Sequence, residues 1–362
     1  MGLLKGSLTF SRYRVMGETP ADFASFVNRQ IRKFAFQEFT SESEELSSGW
    51  TSIDNALDTG FSYANYALGD YLIFSLRIDK KNVPPSLLKL KAQEAEKAFL
   101  AEKQQERLYK EQRKQILDAV RMNLFSKALP TPSFFDVCWC VSKKWLIFGS
   151  HAEKVTDPFL KLFERTFQMK PHPFTPWNPD ALEPPVSEKL ASAADDIKTQ
   201  FLGRDFLTWL WFKSEERNGA VSLEGEDIEI IFVRRIVLES GDGEYTETVS
   251  CQGIHSDMKE GKTALQAGKK IKEARIKLGR GNSECEFTLK ADNFQIQSLK
   301  IPATIDQEEE TDQDGRTLER IYHIERAMET MDRLFSLFLQ RRLTEQWSSG
   351  DLPKMKKWFV AD

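Results

Sequence analysis

The chain has 362 residues, of which 40% are hydrophobic and 29% are charged, and its formal net charge is −4. This composition predicts a globular protein with a sizeable core, and the length is typical of more than one folding unit. It excludes a membrane span, because no run of about 18 apolar residues occurs. It also excludes a disulfide scaffold, because a chain this long has only four cysteines. The N-terminus lacks an apolar signal stretch, so we expect a cytosolic protein.

The first 170 residues predict an N-terminal α+β domain. Leu8–Tyr13 alternates like a strand, Thr19-Pro20 has the features of a helix start, and Asp70–Ile78 alternates like a second strand. A long charged helix is predicted over about 86–125, because this stretch is rich in Ala, Glu, Lys, Gln and Leu. Its middle has few apolar residues and cannot be buried on all sides, so we expect a long projecting helix, or a helical hairpin or finger.

The remainder predicts a second α+β domain and a C-terminal helix. Six prolines between Lys170 and Pro185 predict an extended linker over 171–185. The second domain should span 186–305 and begin with an aromatic helix that contains Trp209 and Trp211. A terminal helix and a basic tail should occupy 315–362. The fold class is therefore α+β, with antiparallel sheets and packed helices.

The sequence shows no catalytic, metal-binding or cofactor-binding signature. The histidines (His151, His172, His255 and His323) lack the spacing of a helical zinc pair. Of the four cysteines (Cys138, Cys140, Cys251 and Cys285), Cys138 and Cys140 lie at strand spacing in an apolar run, so we expect them to be small buried core residues. No phosphate-binding loop, dinucleotide fingerprint or nucleophile elbow occurs. We therefore expect no cofactor and no enzymatic activity. One alternative stays open: Asp227 and Glu229 alternate on a predicted strand and could begin a magnesium-dependent nuclease site.

Positive charge collects in two segments of this acidic chain. Residues 77–127 hold thirteen basic and seven acidic side chains, and residues 259–280 hold eight basic and two acidic ones. Lysines and arginines that approach a duplex release its condensed counterions, so such segments favour binding to phosphate without base recognition. A solvated helix face with internal ion pairs is the alternative. Trp209 and Trp211 could stack on bases, but their helical spacing favours a place in the core.

Several segments resemble the recombination-associated RdgC family over about Leu3–Thr344. The main one runs through Gly69–Lys81 and Val83-Pro84-Pro85-Ser86 into the long helix. The others are Gly49-Trp50, Leu124–Ala128, Trp139–Gly149, Pro171–Pro176, Leu207-Thr208-Trp209 and Ala267–Ile271. The chain departs from the family at Lys127-Ala128-Leu129-Pro130, where a proline-arginine-aromatic run is usual, and it is longer than typical members.

The resemblance implies a ring-shaped homodimer whose basic hole encloses duplex DNA without sequence specificity. Such a protein is associated with the nucleoid and limits the access of a RecA-type recombinase to DNA. The positions that match the family as lining residues are Arg77, Lys80, Lys81, Lys89 and Lys269. We add three positions on charge and placement: Arg121, Lys127 and Lys270. The alternative to DNA binding is a protein–protein scaffold that dimerises through its helices.

Overall fold

A computed structural model describes residues 2–39, 41, 44–61, 65–193, 197–216, 219–240, 246–253, 259–281, 283–302 and 313–360, without the side chain of Arg234. Within these ranges the chain is α+β, as the sequence predicts, and most of its strands belong to a large antiparallel sheet. None of the described helices combines the length and the hydropathy of a membrane span.

The described strands are β1 (Leu8–Met16), β2 (Leu46–Thr51), β3 (Ala67–Leu68), β4 (Tyr71–Lys81), β5 (Pro130–Cys140), β6 (Trp145–Phe148), β7 (Lys170–Pro173), β8 (Ala220–Leu223), β9 (Glu226–Ser240), β10 (Thr248–Gly253), β11 (Lys269–Arg280), β12 (Ser283–Lys290) and β13 (Gln295–Lys300). The described α-helices are α1 (Phe23–Lys33), α2 (Pro85–Lys103), α3 (Lys110–Ser126), α4 (Glu153–Phe167), α5 (Pro184–Ser192), α6 (Leu202–Glu216), α7 (Lys259–Gln266), α8 (Gln313–Arg342) and α9 (Leu352–Val360).

The chain divides into two compact units that are interleaved along the sequence. We call Gly17–Val137 together with Pro158–Met169 the hairpin unit. We call Met1–Met16, Cys138–Asp157 and Lys170–Asp362 the sheet unit. This division differs from the boundaries read from the sequence, where the first 170 residues formed one domain.

The proline-rich stretch is also more ordered than an extended linker. Its first residues form β7, which pairs with β1 through Tyr13–Met16. Its last residues, Pro184 and Pro185, begin α5. Proline suits both places, because it is tolerated in edge strands and in the first helical turn, where no backbone donor is required.

The sheet unit is built on the strand order β10-β9-β11-β12-β13-β1-β6, with β7 paired to β1 and β8 paired to β9. Helix α6 packs on β9 and β11 on one side and on α8 on the other. Eleven of its residues are buried, Trp209 and Trp211 among them. A helix that is apolar on all sides must be buried, so the two tryptophans belong to the core, as their spacing favours.

The core of the hairpin unit lies between its strands and α4. The Trp50 ring meets Phe74 edge-on with a centroid distance of 5.0 Å, and Phe159 and Phe167 complete the cluster. The indole Nε1 of Trp50 donates a 2.8 Å hydrogen bond to Oγ1 of Thr166, so its one polar group is satisfied. The backbone of Trp50 is held as well, because its N–H donates to Phe34 O and its carbonyl accepts from Phe36 N–H.

The charged stretch predicted as one long helix consists of α2 and α3, which pack on each other as a helical hairpin. Helix α2 ends because Gln104 adopts a left-handed conformation with φ of 50°, and its N–H donates to Leu100 O. Helix α3 begins where the side chain of Gln112 accepts from the N–H of Tyr109. Glycine and proline are both absent from this turn, so the sequence carried no strong break signal there.

Gly49 is the residue that permits the close approach of β2 to the segment after α1. A Cβ at this position would lie 2.5 Å from the backbone N of Phe36. We therefore expect Gly49→Ala to lower the free energy of unfolding by about 3 kcal/mol, because the backbone has to move. Urea unfolding measures this. Gly350→Ala is the control, because a Cβ there meets nothing within 4 Å. Equal stability of the two variants would contradict the assignment.

Candidate nucleic-acid interface

The eight cations predicted to contact DNA are divided between the two units. The hairpin unit holds six of them: Arg77, Lys80, Lys81, Lys89, Arg121 and Lys127. The sheet unit holds Lys269 and Lys270, at the start of β11. The structure shows which of these eight cations pair with a carboxylate of the protein and which are exposed to solvent.

Every cation of β11 is paired with a carboxylate, although Glu239 also pairs with Arg204 and Glu226 also pairs with Arg326. The six pairs are Lys269–Glu247, Lys270–Asp205, Lys272–Glu239, Arg275–Glu286, Lys277–Glu284 and Arg280–Glu226. Four of the carboxylates lie on the neighbouring strands β9 and β12. The basic character of this segment in the sequence is therefore largely neutralised in the fold.

The first two lysines of β11 are consequently poor sources of free positive charge. Lys269 Nζ lies 2.5 Å from a carboxylate oxygen of Glu247, and its side chain is only 13% exposed. The hydrogen bond from Lys269 lowers the pKa of Glu247 below its ordinary value. Lys270 bonds to Asp205 and lies over the ring of Phe201. Either lysine would have to exchange its carboxylate for a phosphate in order to bind DNA.

Arg77 is held in a similar way in the hairpin unit. Its Nε and Nη2 donate to both carboxylate oxygens of Asp79, at 2.8 and 2.7 Å, and these bonds raise the pKa of Arg77 above its ordinary value. The guanidinium carbon lies 4.0 Å from the centroid of the Phe36 ring. Arg77 thus packs on the Phe36 ring, lies 5.9 Å from the centroid of the Phe134 ring, and is neutralised by a buried carboxylate.

Lys81 is buried, although it stands next to an exposed lysine on β4. Its Nζ lies 4.7 Å from the Phe39 ring centroid and 5.7 Å from that of Phe125. Its backbone N–H donates to Glu45 O. These contacts tie the end of β4 to the last turn of α3, so Lys81 supports the base of the hairpin.

Four of the predicted cations are exposed, and within the described residues they make no ion pair: Lys80, Lys89, Arg121 and Lys127. They are joined by other cations of the hairpin with the same property, namely Lys97, Arg107, Lys110 and Lys114. Three further hairpin cations are paired, Lys91 with Glu94, Lys103 with Glu102 and Arg113 with Glu96. The hairpin therefore presents a surplus of positive charge that the described part of the chain does not neutralise.

The same hairpin exposes apolar side chains close to these cations in the sequence. Ala92 is the only buried residue of α2 and α3. The exposed apolar side chains of the hairpin and of the segment after it are Leu87, Leu90, Leu117, Met122, Leu129 and Phe134. Exposed apolar side chains that form one contiguous patch are typical of interaction surfaces.

One group of cations in the hairpin unit is absent from the predicted DNA contacts. Helix α1 contains Arg29, Arg32 and Lys33 and has no acidic residue. Three cations without an acid in eleven residues is a signal that the sequence already contained. This signal is weaker than that of the two longer charged segments, because they hold more basic residues in total.

The candidate nuclease pair lies on β9. Asp227 and Glu229 both pair with β8, opposite Ser222 and Ala220. Among the described residues, no three His, Cys, Asp or Glu side chains are grouped as a metal site. His255 lies outside the described residues. Cys138 and Cys140 are buried thiols that are not joined in a disulfide, as expected of small core residues.

Residues 9–183 match the model of a protein family described as "RdgC: Putative exonuclease, RdgC". The match includes the whole hairpin unit and the first strands of the sheet unit. Strand β11 and helices α6 and α8 lie beyond it. None of the curated proteins matches the chain.

We expect Arg77→Ala to destabilise the protein by about 2 kcal/mol, because it leaves the buried carboxylate of Asp79 without its partner. Lys80→Ala, the control on the same strand, should change stability by less than about 0.5 kcal/mol. Urea unfolding of both variants checks this. The double variant Arg77→Ala/Asp79→Ala should recover part of the loss, and an equal effect of the two single changes would contradict the role given to Arg77.

Proposed function

We propose that this chain, whose residues 9–183 belong to the RdgC family, is a non-catalytic protein of recombination or replication that binds double-stranded DNA without sequence specificity. The observation that supports this most is the contrast between the two basic segments. The cations of β11 are neutralised, whereas most cations of the α2–α3 hairpin have no carboxylate partner among the described residues.

Unneutralised, exposed cations are the groups that bind a duplex through its phosphates. Each phosphate contact releases condensed counterions, and this gain does not depend on the base sequence. Lys80, Lys89, Arg121 and Lys127 are therefore the principal contacts that we propose. Lys269 and Lys270 contribute less, because a phosphate has to displace Glu247 or Asp205.

We further propose that the exposed apolar side chains of the hairpin bind a second copy of the chain. Most soluble oligomers are symmetric dimers in which the same surface is used twice. A dimer closed into a ring would hold a duplex inside it and would need positive charge only on its inner wall. This explains why a chain with a net charge of −4 could bind DNA. By occupying duplex DNA, such a ring would limit the access of a RecA-type recombinase.

Neutralising two free cations of the hairpin tests the DNA contact. We expect Lys89→Gln/Arg121→Gln to weaken duplex binding equally on all sequences. The slope of log K against log salt should fall by about 1.8, because two phosphate contacts are lost. Fluorescence anisotropy with labelled duplexes across a salt series measures both quantities.

The matched control is Lys91→Gln/Arg113→Gln, which removes the same charge from the same hairpin but from residues that are already paired. Its salt slope should fall by less than half as much. An equal fall for both double variants, or a change in sequence preference, would contradict the proposed interface. The labelled duplex should also stay intact with magnesium, and a cleavage activity lost on Asp227→Ala would refute a non-catalytic function.

The dimer is tested by placing charge in the exposed apolar surface. We expect Leu90→Glu/Leu117→Glu to convert a dimer into a monomer in sedimentation velocity, because the carboxylates would be buried without partners. Leu57→Glu is the control, because Leu57 is 83% exposed in a loop of the same unit. The double variant should also lose any preferential retention on closed circular over linear duplex. A dimer that survives the double substitution would exclude this surface as the interface.

A further inference from the structure

A second basic surface lies in the hairpin unit, where α1 ends and α4 passes close to it. Arg29 and Lys33 are four residues apart on α1, and Lys161 and Arg165 are four residues apart on α4, so each pair shares one helix face. All four side chains are exposed, and none of them makes an ion pair among the described residues. In sequence, Glu164 is the one acid between Lys161 and Arg165.

Phe34 connects the two helices. Its ring centroid lies 5.6 Å from Nζ of Lys33 and 5.6 Å from the guanidinium carbon of Arg165, both within cation–π range. The ring is partly exposed to solvent. Cations from two different elements therefore meet around one accessible aromatic ring.

The position of Phe34 is fixed by its backbone. Its N–H donates to Gln30 O at the end of α1, and its carbonyl accepts from the N–H of Trp50 on β2. The backbone that carries the ring is thus fixed by main-chain bonds, so binding would require little additional ordering of the main chain. Arg32, by contrast, already donates to Asn28 Oδ1 and to Phe61 O, and it serves the fold.

An accessible aromatic ring surrounded by unpaired cations is the arrangement that binds single-stranded nucleic acids. The cations follow the phosphates, while an unpaired base stacks on the ring. A duplex offers no such base, because its bases are stacked on each other. The chemistry of this surface therefore fits a single strand better than a duplex.

We propose that Arg29, Lys33, Lys161 and Arg165 around Phe34 form a binding site for a single-stranded nucleic acid, separate from the α2–α3 hairpin. This inference deepens the proposed function, on which it rests for the class of ligand. The phosphates of the strand contact the four cations, and one base stacks on Phe34. The site lies entirely within the hairpin unit and within the residues that match the family.

Two variants test the site in the full chain, with a labelled oligodeoxythymidylate strand and a labelled duplex as probes. Lys33→Gln/Arg165→Gln should weaken strand binding about tenfold and lower its salt slope by roughly 1.4, with duplex affinity unchanged within about twofold. Phe34→Leu should weaken strand binding roughly tenfold without changing the slope, because it removes stacking and no charge. Anisotropy titrations across a salt series measure the affinity and the salt slope for the strand and for the duplex.

The hairpin variant Lys89→Gln/Arg121→Gln is the matched comparison and should lower duplex affinity more than strand affinity. Wild-type strand affinity in Lys33→Gln/Arg165→Gln, or an equal loss for strand and duplex, would overturn the inference. A wild-type protein that binds the strand through this site but never binds duplex would instead refute the proposed function alone. If Phe34→Leu unfolds the protein, Lys33→Gln/Arg165→Gln still tests the site, because both of its side chains are exposed.

Discussion

The pairing of β11 with surrounding carboxylates governs how charge is distributed over this protein. Antiparallel neighbours place side chains of adjacent strands within reach of each other, and opposite charges there stabilise the pairing. Lys277 lies directly opposite Glu286, but it bonds to Glu284, while Arg275 bonds to Glu286. These diagonal ion pairs neutralise cations of β11. The most basic segment of the sequence, relative to its length, is therefore not the most basic surface.

The α2–α3 hairpin shows the opposite behaviour, because its charges have few opportunities to pair. Two helices that pack mainly on each other leave most of their side chains in solvent, and an exposed ion pair is worth little when it does form. Its cations therefore remain available to a ligand, and so do leucines such as Leu90 and Leu117. The α2–α3 hairpin thus combines exposed cations, which suit binding to phosphate, with exposed leucines, which suit binding to a protein.

The sequence predicts the class of the fold, the opening strand and the buried aromatic helix, because each depends on local pattern. It also predicts the family that residues 9–183 match, because that match depends on recognisable segments. It does not predict which cations are free. Lys270 and Asp205 are 65 residues apart, and only the tertiary fold brings them together. The break at Gln104 was also hidden, because a glutamine in the left-handed region carries no compositional signal. The cations of α1, by contrast, are predictable from the sequence, because a stretch of eleven residues holds three cations and no acid.

The interleaving of the two units has a consequence for how the protein folds during synthesis. Strand β1 pairs with β13 through Leu8 and Leu299, so the beginning of the sheet unit waits for a strand that the ribosome makes nearly three hundred residues later. All residues of the hairpin unit precede Lys170, so the ribosome makes the whole unit before most of the sheet unit. Contacts between residues this far apart in sequence slow folding, and they leave strand edges exposed until the later strand has been made. Nascent chains should thus hold β1 already paired with β6 and β7, while Leu8 and Phe10 still lack their β13 partners, so the last strands complete the sheet.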